Sequence, residues 1–117
     1  MPAPDSRSFP RAKRLTRGAD LERVRHEGKR VRTASMDVRA LASLLDVPRV
    51  GFVIPKYKHS GVDRNRLKRR LRELIRVDVL PELPPMDLVF KVLPVAYTRN
   101  FETLRAEVLQ AVRKIAR

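Results

Sequence analysis

The feature that most constrains the fold is a central segment, residues 63–79, whose apolar residues recur at intervals of three and four. These residues are Leu67, Leu71, Leu74, Ile75 and Val79. Side chains at that spacing share one face of an α-helix, so the segment is predicted to be an amphipathic helix that covers a hydrophobic core. Ser60, three residues before Asp63, is the predicted N-cap, and Pro81 ends the helix because proline lacks a backbone N–H.

The rest of this helix surface is strongly cationic. Between Arg64 and Arg76 the chain has seven Lys or Arg residues and one acid. Arg64, Lys68 and Arg72 are spaced by four, and like charges at that spacing destabilise a helix by roughly 0.2–0.5 kcal/mol a pair. Arginine donates in a planar fork that fits phosphate, and the helix N-terminus adds unsatisfied N–H groups. The segment is therefore predicted to bind the phosphates of a structured RNA.

The whole chain shares this charge bias, with 27 Lys and Arg against 13 Asp and Glu and a net charge of +14. Such an excess favours a nucleic-acid partner over a solubility surface. No apolar stretch approaches the length of a transmembrane helix, so a membrane partner is not expected. The absence of cysteine excludes disulfides, zinc fingers of the cysteine type and thiol catalysis. We expect a cytoplasmic protein, because the N-terminus also lacks an apolar signal segment.

The remaining patterns predict an α+β fold. Residues 1–13 carry three prolines and scattered cations and are predicted to be a flexible basic arm, followed by a single RNA-binding domain over 14–117. A first helix is predicted from Thr16 to Glu27, with Gly28 as its stop. The alternation around Met36–Ala40 and Val50–Ile54 predicts two strands.

The turn at Asp46-Val47-Pro48 favours antiparallel pairing of those two strands. Residues 87–93 are too continuously apolar for an edge strand and are predicted to be a central one. Asn100 is the predicted cap of a last helix with an apolar stripe. That stripe consists of Phe101, Leu104, Val108, Ala111, Val112 and Ile115. Helices packed on a small mixed sheet are the expected result.

Two sequence runs resemble a known family. "RNRLKRRLRE" at Arg64, preceded by Lys56 in "RVGFVIPKYK", is similar to the protein subunit of bacterial ribonuclease P. The likeness extends to "RLTRGADLERVRHEGKRV" from Arg14 to Val31, to the strand that begins at Asp87, and to the last helix. The resemblance implies an α-β-β-β-α-β-α two-layer sandwich with a four-stranded mixed sheet, similar to a ribosomal protein domain.

The same resemblance implies a function. The family's protein subunit assists a catalytic RNA that removes the 5′ leader of precursor tRNA, and the hydrolysis belongs to the RNA. The protein is thus expected to have no catalytic or metal-binding residue and no small-molecule substrate, with Mg²⁺ held mainly by the RNA and the substrate. The residues carried over as contacts to the catalytic RNA are Arg64, Asn65, Arg66, Lys68, Arg69 and Arg72. Taken alone, Asn65 is either an RNA or metal-water contact or a simple first-turn residue.

A second site is implied for the leader, in a cleft between the first helix and the sheet. Its matching residues are Arg14, Leu21, Arg25, Met36, Arg39, Phe52 and Lys56. The family commonly has aromatic residues at Leu21, Arg25 and Arg39, and this chain does not. Stacking contributes about 1–3 kcal/mol per base, so we expect leader binding here to depend more on guanidinium planes and charge. Core positions remain the alternative for Phe52 and for Leu21.

Two other function classes stay open at this point. One is a structural RNA-binding protein of the ribosomal type, which the composition permits equally well. The other is a protein nuclease with its own active site. His26 and His59 lie far apart without the spacing of a catalytic or metal site, and no acid pair stands out, which argues against the nuclease. Tyr57 is predicted either to stack on a nucleotide or to pack in a turn.

Overall fold

The structure, a computed structural model, describes residues 13–16 and 18–116, so the predicted arm lies outside the described residues apart from Lys13. Within these ranges the element order is α-β-β-β-α-β-α, as predicted. The elements are α1 Gly18–Glu27, β1 Lys29–Arg32, β2 Met36–Ala42, β3 Arg49–Val53, α2 Gly61–Asp78, β4 Met86–Val92 and α3 Phe101–Ile115. Short 3-10 turns at Leu80–Glu82 and Pro94–Thr98 flank β4.

The four strands form one mixed sheet in the order β1-β2-β4-β3. β4 pairs antiparallel with β2 and parallel with β3. The predicted direct pairing of β2 with β3 is therefore wrong, because β4 lies between them. Residues 43–48 are long enough to cross the roughly 10 Å between next-nearest strands, and the central place buries the most apolar strand on both faces.

The two faces of the sheet carry different helices. Leu88, Phe90 and Val92 of β4 lie in the main core with the buried residues of α2 and α3. Val89, on the opposite face, packs in a smaller cluster with Leu15 and with Val24 of α1. The sandwich of sheet, α2 and α3 is thus supplemented by α1, which covers part of the other face.

The predicted helix caps are largely confirmed. The Ser60 hydroxyl accepts a hydrogen bond from the Asp63 amide at 3.1 Å, and Asn100 Oδ1 accepts from the Thr103 amide at 2.8 Å. Phe101, however, is 37% exposed and lies outside the buried stripe of α3. Gly28 follows α1 as predicted, but for a different reason. A Cβ there would lie 2.4 Å from the carbonyl oxygen of Val24, so glycine permits a close backbone approach.

Candidate nucleic-acid interface

The apolar stripe of α2 fixes the direction of its cations. Leu67, Leu71, Leu74 and Ile75 are buried against the sheet and α3, so the polar residues of the helix face away from the core. Asn65, Arg66, Arg69 and Arg70 are exposed. In the described part of the chain no ion pair joins an acid to Arg66, Lys68, Arg69, Arg70 or Arg72. Their charges thus have no acid partner among the described residues.

Arg64 has a second task within the protein. Its Nε donates to the carbonyl oxygen of Ile54 at 2.7 Å, which ties the first turn of α2 to the end of β3. The intervening loop is held by two tyrosines, since Tyr57 Oη donates to the carbonyl of Val92 at 2.9 Å and Tyr97 Oη donates to that of Pro55 at 2.6 Å. Tyr57 thus packs in the turn, the second of its two predicted roles.

Lys68 lies at the centre of a group of like charges. Its side chain is half-buried, and burial lowers its pKa, with further lowering by Arg72, Arg64 and Arg14. Because all three charged neighbours are cations, the positive potential of the group is concentrated on the side of α2 that faces β3. A phosphate is the chemical group that this arrangement would attract.

A pocket of about 160 Å³ opens beside these cations, at the outer edge of β3, where the segment before α1 contacts the strand. We call it the β3-edge pocket. It is lined by Arg14, Leu15, Thr16, Leu21, Val50, Gly51, Phe52, Lys68 and Arg72. The segment before α1 forms one wall, because the Leu15 amide donates to the Val50 carbonyl oxygen at 2.8 Å. The pocket brings residues predicted for the leader together with residues predicted for the catalytic RNA.

A second, smaller pocket of about 40 Å³ lies between α1 and the sheet, and we call it the α1 groove. It is lined by Arg25, Asp37, Arg39, Val53, Val89 and Lys91. Arg39 donates through Nη1 to the carbonyl of Arg25, and its Nε is 3.7 Å from Asp37. The structure thereby brings Arg25 and Arg39, two of the predicted leader residues, together in one groove. Lys91 was missed, although a lysine that interrupts the apolar run from Leu88 to Val92 is an available signal.

The remaining predicted leader residues lie in different parts of the fold. Met36 has no exposed surface and lies in the main core, so its predicted place in the cleft is wrong. It begins β2 and points with Val38 toward the opposite face from Arg39, because successive strand residues alternate. Phe52 is half-buried on the α2 side of the sheet, where its ring stacks on Phe90 with centroids 6.0 Å apart. Lys56 is exposed in the loop before α2.

Sequence reasoning also missed a buried ionic network beneath α1. Asp87 has no exposed surface and accepts two hydrogen bonds from Arg49, at 3.0 and 2.9 Å. Arg49 also contacts Asp20 of α1 at 3.4 Å, and Arg23 of α1 lies 3.6 Å from Asp87. The hydrogen bond that Arg49 donates to Asp87 raises the pKa of Arg49 despite the opposing effect of burial. No sequence pattern marks these residues as partners, because they lie far apart along the chain.

Residues 13–16 and 18–116 contain no group of three or more His, Cys, Asp or Glu residues that could hold a metal ion. His26 lies beside Glu22 at 3.2 Å, whereas His59 lies beside Asp63 at 3.5 Å on another element. No described helix combines the length and apolar character needed to cross a membrane.

Comparison with known proteins identifies the family of this chain. A family model described as Ribonuclease P matches residues 9–116. The ribonuclease P protein component of Clavibacter michiganensis is 36% identical over 109 residues, covering 92% of this chain and 96% of the relative. That of Chloroflexus aggregans is 33% identical over 106 residues, covering 89% and 78%.

Solved structures show the same fold. A mutant of the RNase P protein of Staphylococcus aureus superimposes with a TM-score of 0.81 at 21% identity, covering 87% of this chain and 86% of that one. The RNase P protein of Thermotoga maritima gives 0.77 at 24% identity, covering 87% and 96%.

Proposed function

Because this chain belongs to the family of ribonuclease P protein components, we propose that α2 binds the catalytic RNA while the α1 groove receives the 5′ leader of precursor tRNA. The family's role is that of a protein subunit in a ribonucleoprotein endoribonuclease that matures tRNA 5′ ends, with catalysis by the RNA. Membership sets aside a ribosomal structural protein and a protein nuclease with its own active site.

The observation that supports the RNA contact is the unpaired charge of α2. The proposed contact residues are Arg64, Asn65, Arg66, Lys68, Arg69 and Arg72. Four of the cations among them have no acid partner in the described chain, and Arg64 keeps its Nη groups when its Nε bonds the Ile54 carbonyl. A row of cationic groups along one helix fits the phosphates of a structured RNA.

The α1 groove supports the leader assignment through its cations. Arg25, Arg39 and Lys91 line it, and none of the described residues around it is aromatic. An unpaired base can lie on a guanidinium plane, and the phosphates of a single strand can contact the three charges. Asp37, which is 8% exposed, is held between Arg30 and Arg39 and so does not present a free carboxylate to the strand.

Metal chemistry is placed outside the protein in this proposal. The described residues offer no carboxylate or histidine cluster for an ion, so Mg²⁺ is proposed to be held by the catalytic RNA and the substrate. The cations of α2 would reduce the Mg²⁺ concentration that the RNA needs, because they neutralise part of its phosphate charge. The proposed compartment is the cytoplasm.

The test compares cleavage of precursor tRNA by the RNA alone, by the protein alone and by both together. We expect the protein alone to cleave nothing and to lower the Mg²⁺ requirement of the RNA. Arg69→Ala should reduce the slope of log K against log salt for RNA assembly by about one, the effect of one lost phosphate contact. Arg113→Ala, an exposed cation near the end of α3, is the matched control and should leave the slope unchanged. Cleavage by RNA-free protein, or an unchanged slope for Arg69→Ala, would contradict the proposal.

A further inference from the structure

The loop between β3 and α2 presents a histidine ring that is stacked on a tyrosine ring. The imidazole of His59 lies parallel to the ring of Tyr97, with centroids 4.0 Å apart and an angle of 4° between the planes. Asp63 lies beside one edge of the imidazole, 3.5 Å from Nδ1, and 36% of the His59 side chain is exposed. Since Tyr97 covers one face of the imidazole, the exposed area lies on the other face and the remaining edge.

This stack is held in one orientation by the residues around it. Tyr97 Oη donates to the Pro55 carbonyl oxygen at 2.6 Å, and the rings of Tyr57 and Tyr97 meet edge to face with centroids 6.5 Å apart. Tyr57 is itself anchored by its hydrogen bond to the Val92 carbonyl. The His59 ring therefore lies on a fixed support, and a preorganised surface loses less entropy when a ligand binds.

The backbone of the loop is strained at two residues. Tyr57 and Lys58 have φ angles of 47° and 72°, in the left-handed region that favours glycine. They are the central residues of a tight turn, which is closed by the His59 amide donating to the Lys56 carbonyl oxygen at 2.8 Å. Such strain persists where the surrounding structure enforces it, and it is concentrated at functional sites such as ligand clamps. Here the strained turn leads directly into the residue that stacks on Tyr97.

The surroundings of the stack favour RNA as the ligand. Lys56 and Lys58 are exposed and have no acid partner among the described residues. Arg64 and Asn65, two of the proposed contacts to the catalytic RNA, lie near the start of the helix that follows the loop. An unpaired base presents a flat face that stacks on aromatic side chains, histidine included, whereas a base within a duplex has its faces covered by neighbouring pairs.

We propose that the exposed face of the His59 ring binds one unpaired nucleobase of the catalytic RNA, with Tyr97 as the supporting ring. This inference rests on the proposed function, because it takes the catalytic RNA as the partner of α2. It adds a contact of a different kind. Cations bind phosphates whatever the base, whereas a stacking ring requires a base that lies outside a helix. The protein would thus recognise the folded shape of the RNA at this point as well as its charge.

The test measures the affinity of the protein for the catalytic RNA. His59→Ala should weaken assembly about tenfold, the effect of one lost base stack. His59→Phe should retain the affinity of the wild type, because it supplies a flat ring. Both variants lack the imidazole and any charge it carries, so the difference between them reports the ring alone. His26→Ala removes an exposed histidine of α1 and is the matched control, which should leave the affinity unchanged.

A second arm locates the base by chemical probing of unpaired nucleotides in the reconstituted holoenzyme with precursor tRNA bound. One nucleotide of the catalytic RNA should be protected by the wild type and by His59→Phe, and it should become reactive with His59→Ala. If the nucleotide that becomes reactive belonged to the precursor tRNA, the assignment to the catalytic RNA would be wrong.

The remaining outcomes separate this inference from the proposed function. Equal losses of affinity for His59→Ala and His59→Phe would show that the imidazole contributes a charge or a hydrogen bond and not a stacking face. A His59→Ala variant that is less stable in urea but binds the RNA normally would make the stack a support for the loop alone. Either result overturns the inference, and a reduced salt slope for Arg69→Ala would still support the proposed function. If the wild type did not bind the catalytic RNA, both would fail.

Discussion

The two helices α1 and α2 pack on opposite faces of the same sheet by different physical means. α2 is anchored by four buried apolar side chains, Leu67, Leu71, Leu74 and Ile75. In α1 one residue, Val24, is buried, and two of its charged residues, Asp20 and Arg23, contact the buried Asp87 network instead. Apolar packing holds α2 in place, so its charged side chains are available to a partner. In α1, where a single side chain is fully buried, charged side chains hold the helix against the sheet.

This difference explains how α2 tolerates its charge pattern. Burying a Leu or Ile side chain contributes about 1.5–3 kcal/mol, whereas a like-charge pair on a helix opposes it by roughly 0.2–0.5 kcal/mol. The apolar face therefore outweighs the repulsion. α1 lacks this surplus of buried apolar side chains, so its position depends on the partly buried ion pairs of Asp20 and Arg23.

The largest expected effect is the loss of the network beneath α1. Asp87→Ala leaves Arg49, with 14% of its side chain exposed, without its main partner. Breaking a buried ion pair in this way destabilises a protein by about 3–5 kcal/mol, measured as the free energy of unfolding in urea. Asp46→Ala, in the exposed loop before β3, is the control and should have little effect. A loss below 1 kcal/mol for Asp87→Ala would mean that α1 does not depend on these charges.

The next largest effect is expected in the α1 groove, which α1 forms with the sheet. Arg39→Ala removes a lining cation of the α1 groove and the bond to the Arg25 carbonyl. Affinity of the holoenzyme for precursor tRNA should fall about tenfold, because a hydrogen bond from a charged group is lost, while affinity for mature tRNA stays the same. Equal losses for the two RNAs would show that Arg39 serves the catalytic RNA or the fold rather than the leader.

Removing a charge from α2 should raise the stability of the free protein, whereas removing Asp87 beneath α1 should lower it. Lys68→Met should stabilise the protein without RNA by about 0.5–1 kcal/mol, because it removes the repulsion of Lys68 with Arg64 and Arg72. It should also weaken binding of the catalytic RNA, because Lys68 is one of the proposed contact residues. Destabilisation of the free protein would show that the cations of α2 contribute to the fold.

The difference in stability between the wild type and Lys68→Met should decrease as the pH rises. The pKa of Lys68 is lower in the folded state than its ordinary value, so the unfolded chain binds the proton more tightly. The destabilisation caused by charged Lys68 is fully present below its lowered pKa. It disappears as the pH rises through that pKa to the ordinary lysine pKa. The stability of the wild type should therefore approach that of Lys68→Met in alkaline solution. A difference that is constant with pH would contradict the assigned cause.

The smallest effect belongs to a surface contact of α1. Glu22 bonds Arg25 at 2.9 Å and lies beside His26, with 55% of its side chain exposed. Exposed pairs contribute little, so Glu22→Gln should change the free energy of unfolding by less than about 1 kcal/mol. An effect as large as that of Asp87→Ala would remove the distinction between buried and exposed charges on α1.

The sequence by itself determined the locally encoded parts. The leucine spacing and Ser60 cap of α2, the Asn100 cap of α3 and the apolar character of β4 were all readable, because helix periodicity and capping act within about four residues. The candidate RNA face of α2 was readable for the same reason. Family resemblance supplied β1, a strand whose short pattern Lys29–Arg32 shows little alternation of its own.

Only the tertiary structure decided which distant residues meet. It inserted β4 between β2 and β3, buried Met36, and joined Arg49 to Asp87 across 38 positions of the chain. It also brought Leu21 and Lys68 into one pocket. Such pairings depend on strand order and on burial of the whole core, and no local pattern encodes either. The cations of α2 were identified by their neighbours in sequence, whereas the network that holds α1 exists only because the chain has folded.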